Sequence, residues 1–257
     1  MRIYQDVAEM VREVERDLWE MGHDVHPQTM QDKDVADDPD YMTKELPAYG
    51  FKVKGGWEPD KIGEMVNYVL TGELGSLPHK DYGDVALYIE DEFTDRICGA
   101  QLNPGKSYKR RPYVWDQFLH NGKFAYTYSE RIAPQLSRIV DELNEKPETR
   151  QAIINIHNNL SFRQSTPVVG PDLVNMGGVG RIPCSMYYQF IRRGNALDMV
   201  YCMRSCDFLV HFPVDIALAL RIQELVAMNC EVAPGILTYF TGSLHAYYKD
   251  MRARGVF

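Results

Sequence analysis

Apolar residues along this chain fall into short runs whose period changes from stretch to stretch. Val7, Met10, Val11, Val14 and Leu18 recur at the spacing of one helix face and predict a helix over residues 4–21. The same spacing predicts helices over 61–70 and 82–97, and over 131–144, where Ile132, Leu136, Ile139, Val140 and Leu143 make the stripe and Pro147 stops it. From 23 to 50 the pattern lapses into polar and acidic chain (HDVHPQTMQDKDVADDPD), which reads as a long loop, either folded over a ligand or a surface excursion. RQAIINIH reads as a strand entering the core, and 158–183 as a loop with no period that delivers the chain to Cys184. Two strand-like runs follow, 186–191 and 196–203, joined by a turn at Arg193-Gly194. A helix over 214–228, a strand over 236–240 and a short helical tail close the chain. Helices and strands mixed without strict alternation predict an α+β fold.

Composition narrows this further. At 257 residues, 1–257 is most simply a single domain with a sizeable core. The net charge of -8 offers no general attraction to DNA or other nucleic acid. There is no run of about eighteen apolar residues, so no membrane span is expected. The N-terminal stretch carries acids too early for a signal peptide. Five cysteines without a C-x-x-C pair argue against a disulfide framework or a structural metal and fit a reducing cytoplasm.

Candidate chemistry gathers between Arg181 and Tyr247. Cys184 follows Pro183 at the mouth of a strand and is either a nucleophile or an inert small hydrophobe. Arg204, Ser205 and Asp207 stand at a strand end, where the forked donors of an arginine suit a phosphate or simply a salt bridge at a turn. His245 and Tyr247 would share a face on a strand but not on a helix. Asp215 lies between these groups in sequence.

The intervals separating Cys184, Arg204, Asp207, Asp215 and His245 carry more than any one motif. With its P-C, R-S-x-D and G-x-x-H-x-Y motifs at those intervals, the chain resembles the thymidylate synthase and pyrimidine hydroxymethylase family. Upstream, Trp115 and Asp116 resemble that family's folate-side pair, and Tyr128 its active-site tyrosine. In YIEDE, Glu92 resembles the family's catalytic glutamate, with Glu90 as competitor. PETR resembles the segment whose arginine, here Arg150, crosses a homodimer to the partner's phosphate.

The resemblance implies a mixed central sheet covered by helices and paired sheet to sheet in a homodimer. It implies that Cys184 adds to C6 of a pyrimidine nucleotide monophosphate, and that C5 takes a one-carbon unit from 5,10-methylenetetrahydrofolate without a metal. Arg204, Ser205 and Arg150 would hold phosphate, and His245 and Tyr247 the sugar. Trp115, Asp116 and Asp207 would serve the folate, with Asp207 also near the nucleotide, while Glu92 would organise water and protons.

Asp215 bears on the base, because synthases carry Asn at its position. A carboxylate accepts from the 4-amino group of cytosine and favours a proton on N3, easing attack at C6, whereas it opposes O4 of uracil acceptor to acceptor. Met203 before Arg204 and Ser243-Leu244 before His245 depart from synthases in the direction of deoxycytidylate hydroxymethylases. dCMP or CMP is therefore the expected substrate and a 5-hydroxymethyl group the expected product. The alternatives are a methyltransferase giving 5-methyl-dCMP or dTMP, and a non-catalytic nucleotide- or RNA-binding relative. The chain ends ten residues after Tyr247, unlike synthases with their C-terminal lid. The expectation is a folate site closed by the 23–50 segment, or more open and so favouring water over hydride. His211 is either a proton relay or a structural residue.

Overall fold

The computed structural model describes residues 1–30, 33–73, 80–157 and 182–256. Strand β1 (Ile3–Tyr4) leads into α1 (Val7–Met21), which starts where the Asp6 side chain accepts from the Glu9 amide at 2.8 Å. All five apolar residues of its stripe are buried. Short strands β2 (His23–Val25), β3 (Thr29–Met30) and β4 (Lys33–Asp34) and a 3₁₀ turn, Pro39–Tyr41, precede the twelve-residue β5 (Thr43–Lys54).

The expected loop over 23–50 is thus corrected: its last third is a strand inside the main sheet. Lys44, Glu45, Pro47 and Gly50 interrupt the alternation of β5, yet Leu46, Phe51 and Val53 are buried. Pairing with strands distant in sequence overrides the weak local pattern.

Helices α2 (Pro59–Thr71), α3 (Tyr82–Ile97), α4 (Pro112–Trp115) and α5 (Tyr128–Glu145) follow, the last opened by a capping box between Thr127 and Glu130. Then come β6 (Ile153–Asn155), β7 (Ser185–Arg193), β8 (Ala196–Met203), β9 (Cys206–Asp207), α6 (Phe212–Asn229), β10 (Ala233–Tyr247) and α7 (Tyr248–Arg254). The strand read over 150–157 shortens to β6, the one read over 236–240 lengthens to β10, and the loop read over 158–183 lies almost wholly outside the described residues.

The main sheet runs β1-β5-β10-β8-β7-β6, with β2 added to β5 and β9 to β10. Its pairing is mixed: β10 lies antiparallel to β5 and parallel to β8. Helix α6 is apolar nearly all round, as befits a helix enclosed between the sheet and α2 and α3. The expected α+β fold with a mixed, helix-covered sheet is what forms. Among the described residues no helix is long and apolar enough to cross a membrane.

Candidate active site

The sheet brings the scattered motifs to one place. Ser185 pairs with Met203 in the β7–β8 register, so Cys184 and Arg204 are neighbours, joined where the Arg204 amide donates to the Cys184 carbonyl at 2.8 Å. The Arg204 guanidinium donates to the carbonyls of Pro183 and Ile182, both at 3.0 Å, and to the Ser205 hydroxyl at 2.9 Å. That hydroxyl lies 3.8 Å from the Cys184 sulfur. A cation is therefore pinned beside the thiol while its side chain stays exposed. Gly242 makes this packing possible: a β-carbon there would stand 2.7 Å from the Arg204 carbonyl oxygen.

Pairing of β9 with β10 sets Asp207 opposite His245. His245 and Tyr247 do share a strand face, with ring centroids 5.3 Å apart. Burial and the nearby Arg204 lower the His245 pKa to about 4, so the ring is neutral at pH 7. The Asp207 carboxylate accepts from the amides of Leu209 at 3.1 Å and Val210 at 3.3 Å, but burial and Asp250 push its pKa up to about 7.

Asp215 occupies the first turn of α6. Burial raises its pKa to about 7, against the pull of Arg96 and of the Cys206 thiol, which donates to it at 3.7 Å. The Tyr128 phenol is held far above its usual range by burial, then by Tyr126, Cys184 and Asp215, so it lies within the field of both the thiol and the carboxyl.

Beside these groups opens a cleft of about 540 Å³ lined by Glu92, Ser107, Tyr108, Trp115, Phe124 and Tyr128 among others. Glu92 accepts from Arg96 Nε at 2.8 Å through one oxygen and from Ser107 Oγ at 2.6 Å through the other. Glu90 is exposed and paired with Arg221 at 3.3 Å, away from that lining. Trp115 stands 5.6 Å from the His211 ring and 6.3 Å from Phe124. Asp116 is exposed and not part of the lining, and Arg150 is exposed beside the middle of β7, its carbonyl accepting from Gln189 at 2.9 Å. Within one chain, then, Arg150 is not brought to Cys184.

Side chains without a local signal join the site. The Tyr41 ring packs 5.6 Å from Tyr247 under the Lys249 ammonium, while Lys33 bonds Gln117 and lies 5.7 Å over the Phe118 ring. Residues 33–41 thus run from the aromatic wall to the end of β10. Arg96, four residues after Glu92 on α3, had the one readable clue, the i,i+4 spacing of an ion pair. Among the described residues no cluster of three or more His, Cys, Asp or Glu could hold a metal ion.

A thiol at a strand mouth, a pinned cation, two carboxyls that titrate near neutrality and an aromatic cleft equip an α+β protein for covalent chemistry on a flat, anionic molecule. Residues 85–254 match the family described as Thymidylate synthase, and the chain belongs to that family. It is 27% identical over 193 residues to a putative thymidylate synthase of Methanosarcina mazei, covering 71% of this chain and 80% of that one. It is 25% identical over 148 residues to the thymidylate synthase of Enterobacteria phage T4, covering 52% of this chain and 47% of the phage protein. A thymidylate synthase of Novosphingobium aromaticivorans is 27% identical over 143 residues, covering 56% and 41%. The chain spans less than half the length of the phage and Novosphingobium relatives. Its fold is similar to the crystal structure of thymidylate synthase from T4 phage, with a TM-score of 0.60 at 17% identity over 96% of this chain and 79% of that one.

Proposed function

We propose that the chain is a folate-dependent cytidylate 5-hydroxymethyltransferase acting on dCMP or CMP in the cytoplasm. The observation that carries this reading is Asp215, a half-buried carboxyl on the first turn of α6 that accepts from the Cys206 thiol, where synthases carry an amide. Facing cytosine, it accepts from the amino group and shares its proton with N3, and the protonated ring becomes a better electrophile at C6. The Cys184 thiolate adds there, and C5 becomes the nucleophile. The exposed side of Arg204 and the Ser205 hydroxyl receive the phosphate, joined by Arg150 from a second copy in a homodimer. Neutral His245 and Tyr247 take the sugar hydroxyl.

Trp115, with Tyr108 and Phe124, offers flat apolar faces that fit a pterin, and Asp207 would supply the folate with a polar group. Methylenetetrahydrofolate, when bound, supplies the one-carbon unit. Glu92, oriented through both its oxygens, positions water and moves protons at the reacting carbon.

A second reading, methyl transfer to dUMP, draws on two observations. The relatives above are named thymidylate synthases. A carboxyl with a pKa of about 7 is also protonated part of the time, and then presents a donor and an acceptor as an amide does. Incubation with dCMP, CMP or dUMP and labelled methylenetetrahydrofolate tests both. Label entering cytidylate as hydroxymethyl is expected; tritium release from C5 of dUMP but not of the cytidylates would overturn the base assignment.

A further inference from the structure

Arg96 is among the largest fully buried side chains of the protein, at 2% exposure, and two of its partners, Glu92 and Tyr128, line the cleft. Its Nε donates to Glu92 at 2.8 Å, its Nη1 donates to the Tyr188 hydroxyl at 3.3 Å, and its flat face covers the Tyr128 ring at 4.3 Å. Tyr188 stacks on Tyr201 at 4.6 Å, and the Tyr201 hydroxyl lies 2.6 Å from that of Ser185, the residue after Cys184. A buried ion pair is weak evidence of stabilisation, since an apolar pair of equal volume commonly serves as well. What an apolar pair cannot do is aim a carboxylate.

We propose that Arg96 is a positioning residue of the active site, fixing the Glu92 carboxylate and the Tyr128 ring. The inference rests on the reaction proposed above and adds a residue to it. The titratable and charged groups around the guanidinium are Glu92 from α3, Tyr128 from α5, Tyr188 from β7, Tyr201 from β8 and Asp215 from α6. Arg111, held at the Val210 carbonyl at 3.5 Å, is the next cation toward Asp215. Burial raises the Asp215 pKa, and Arg96 is the foremost charge opposing that rise. Tyr128 and Glu92 both line the cleft, so a misplaced guanidinium would reach the reacting atoms through them.

The test compares kcat, KM and pH profiles of the wild-type protein, Arg96→Lys, Arg96→Met, Glu92→Gln and the Arg96→Met/Glu92→Gln double variant. Arg96→Met is expected to lower kcat on the order of 100-fold with little change in nucleotide KM, because it touches no substrate. Its Asp215-dependent limb should move to higher pH, and Arg96→Lys should recover part of both effects. The double variant should lose less than the product of the two single losses, because the Glu92 role is removed twice. Arg96→Met with wild-type kcat and pH profile, or a double variant whose losses multiply, would overturn the inference while leaving the proposed reaction standing. A wild-type protein inert toward dCMP, CMP and dUMP would overturn the reaction itself and this inference with it. Should Arg96→Met fail to fold, the lysine variant decides: native melting with reduced kcat supports the role, and native melting with wild-type kcat and pH profile overturns it.

Discussion

Two walls flank the site: a thiol wall on paired strands, beside the cleft, and the cleft's own aromatic wall on short turns. Cys184, Arg204, Asp207, His245 and Tyr247 lie in or directly beside strands held by the β7–β8, β9–β10 and β5–β10 registers, so backbone hydrogen bonds fix where each side chain stands. Trp115, Tyr108 and Phe118 sit on a four-residue helix and two 3₁₀ turns, with ring contacts among them, Ser107 bonded to Glu92, and Lys33 reaching across from β4. Strand-borne groups suit the bond-making end of a reaction, where small displacements are costly. Turn-borne aromatics suit a second molecule that must enter and leave.

The contrast can be broken most severely at the thiol. Cys184→Ser should abolish turnover, by about a thousandfold or more, while nucleotide binding measured by calorimetry persists. Activity surviving that change would dissolve the distinction between the walls. Asp215→Asn should move the ratio of kcat/KM for cytidylate over dUMP by roughly a thousandfold toward dUMP, because a site built around one hydrogen-bond pattern rejects the opposite one. Trp115→Ala should be milder, raising the folate KM about tenfold and leaving nucleotide binding unchanged, as suits the loss of one aromatic face. An equal loss in nucleotide binding would mean that the two walls are one unit.

The smallest effect concerns stability and pH. Folded Asp207 and Asp215 keep their protons to about pH 7 instead of 3.8, so their contribution is complete below 3.8 and is lost as pH rises through 7. His245 opposes them: its pKa falls from 6.5 to about 4, and its contribution is lost as pH drops through that window. Two carboxyls against one imidazole tilt this part of the balance toward acid. Thermal melts of Asp207→Asn and Asp215→Asn should each flatten the decline between pH 4 and pH 7, by about 2–4 °C for each kcal/mol removed.

Much of this architecture could be read from local period. The stripes of α1 and α5 need no distant partner to declare themselves, whereas the two-residue spacing of His245 and Tyr247 allowed a shared strand face without extending the strand read over 236–240 to them. β5 was hidden because Pro47, Gly50 and two charges sit where alternation should show, and its partner β10 lies at the other end of the chain. Glu90 and Glu92 look alike in sequence. On α3 they project to different sides, one to Arg221 and one into the cleft. Tyr41 could not be foreseen at all, since what qualifies it is contact with Tyr247.

β10 also dictates when the protein can work. It pairs along its length with β5 from the N-terminal quarter and, on its other edge, with β8 and then β9. Closing so distant a pairing is entropically slow, and the motifs that meet at the thiol cannot meet before it. Competence should therefore arrive in a single late step. In pulse-labelled refolding, amides of β5 and β10 are expected to gain protection together, and nucleotide binding no earlier than they do.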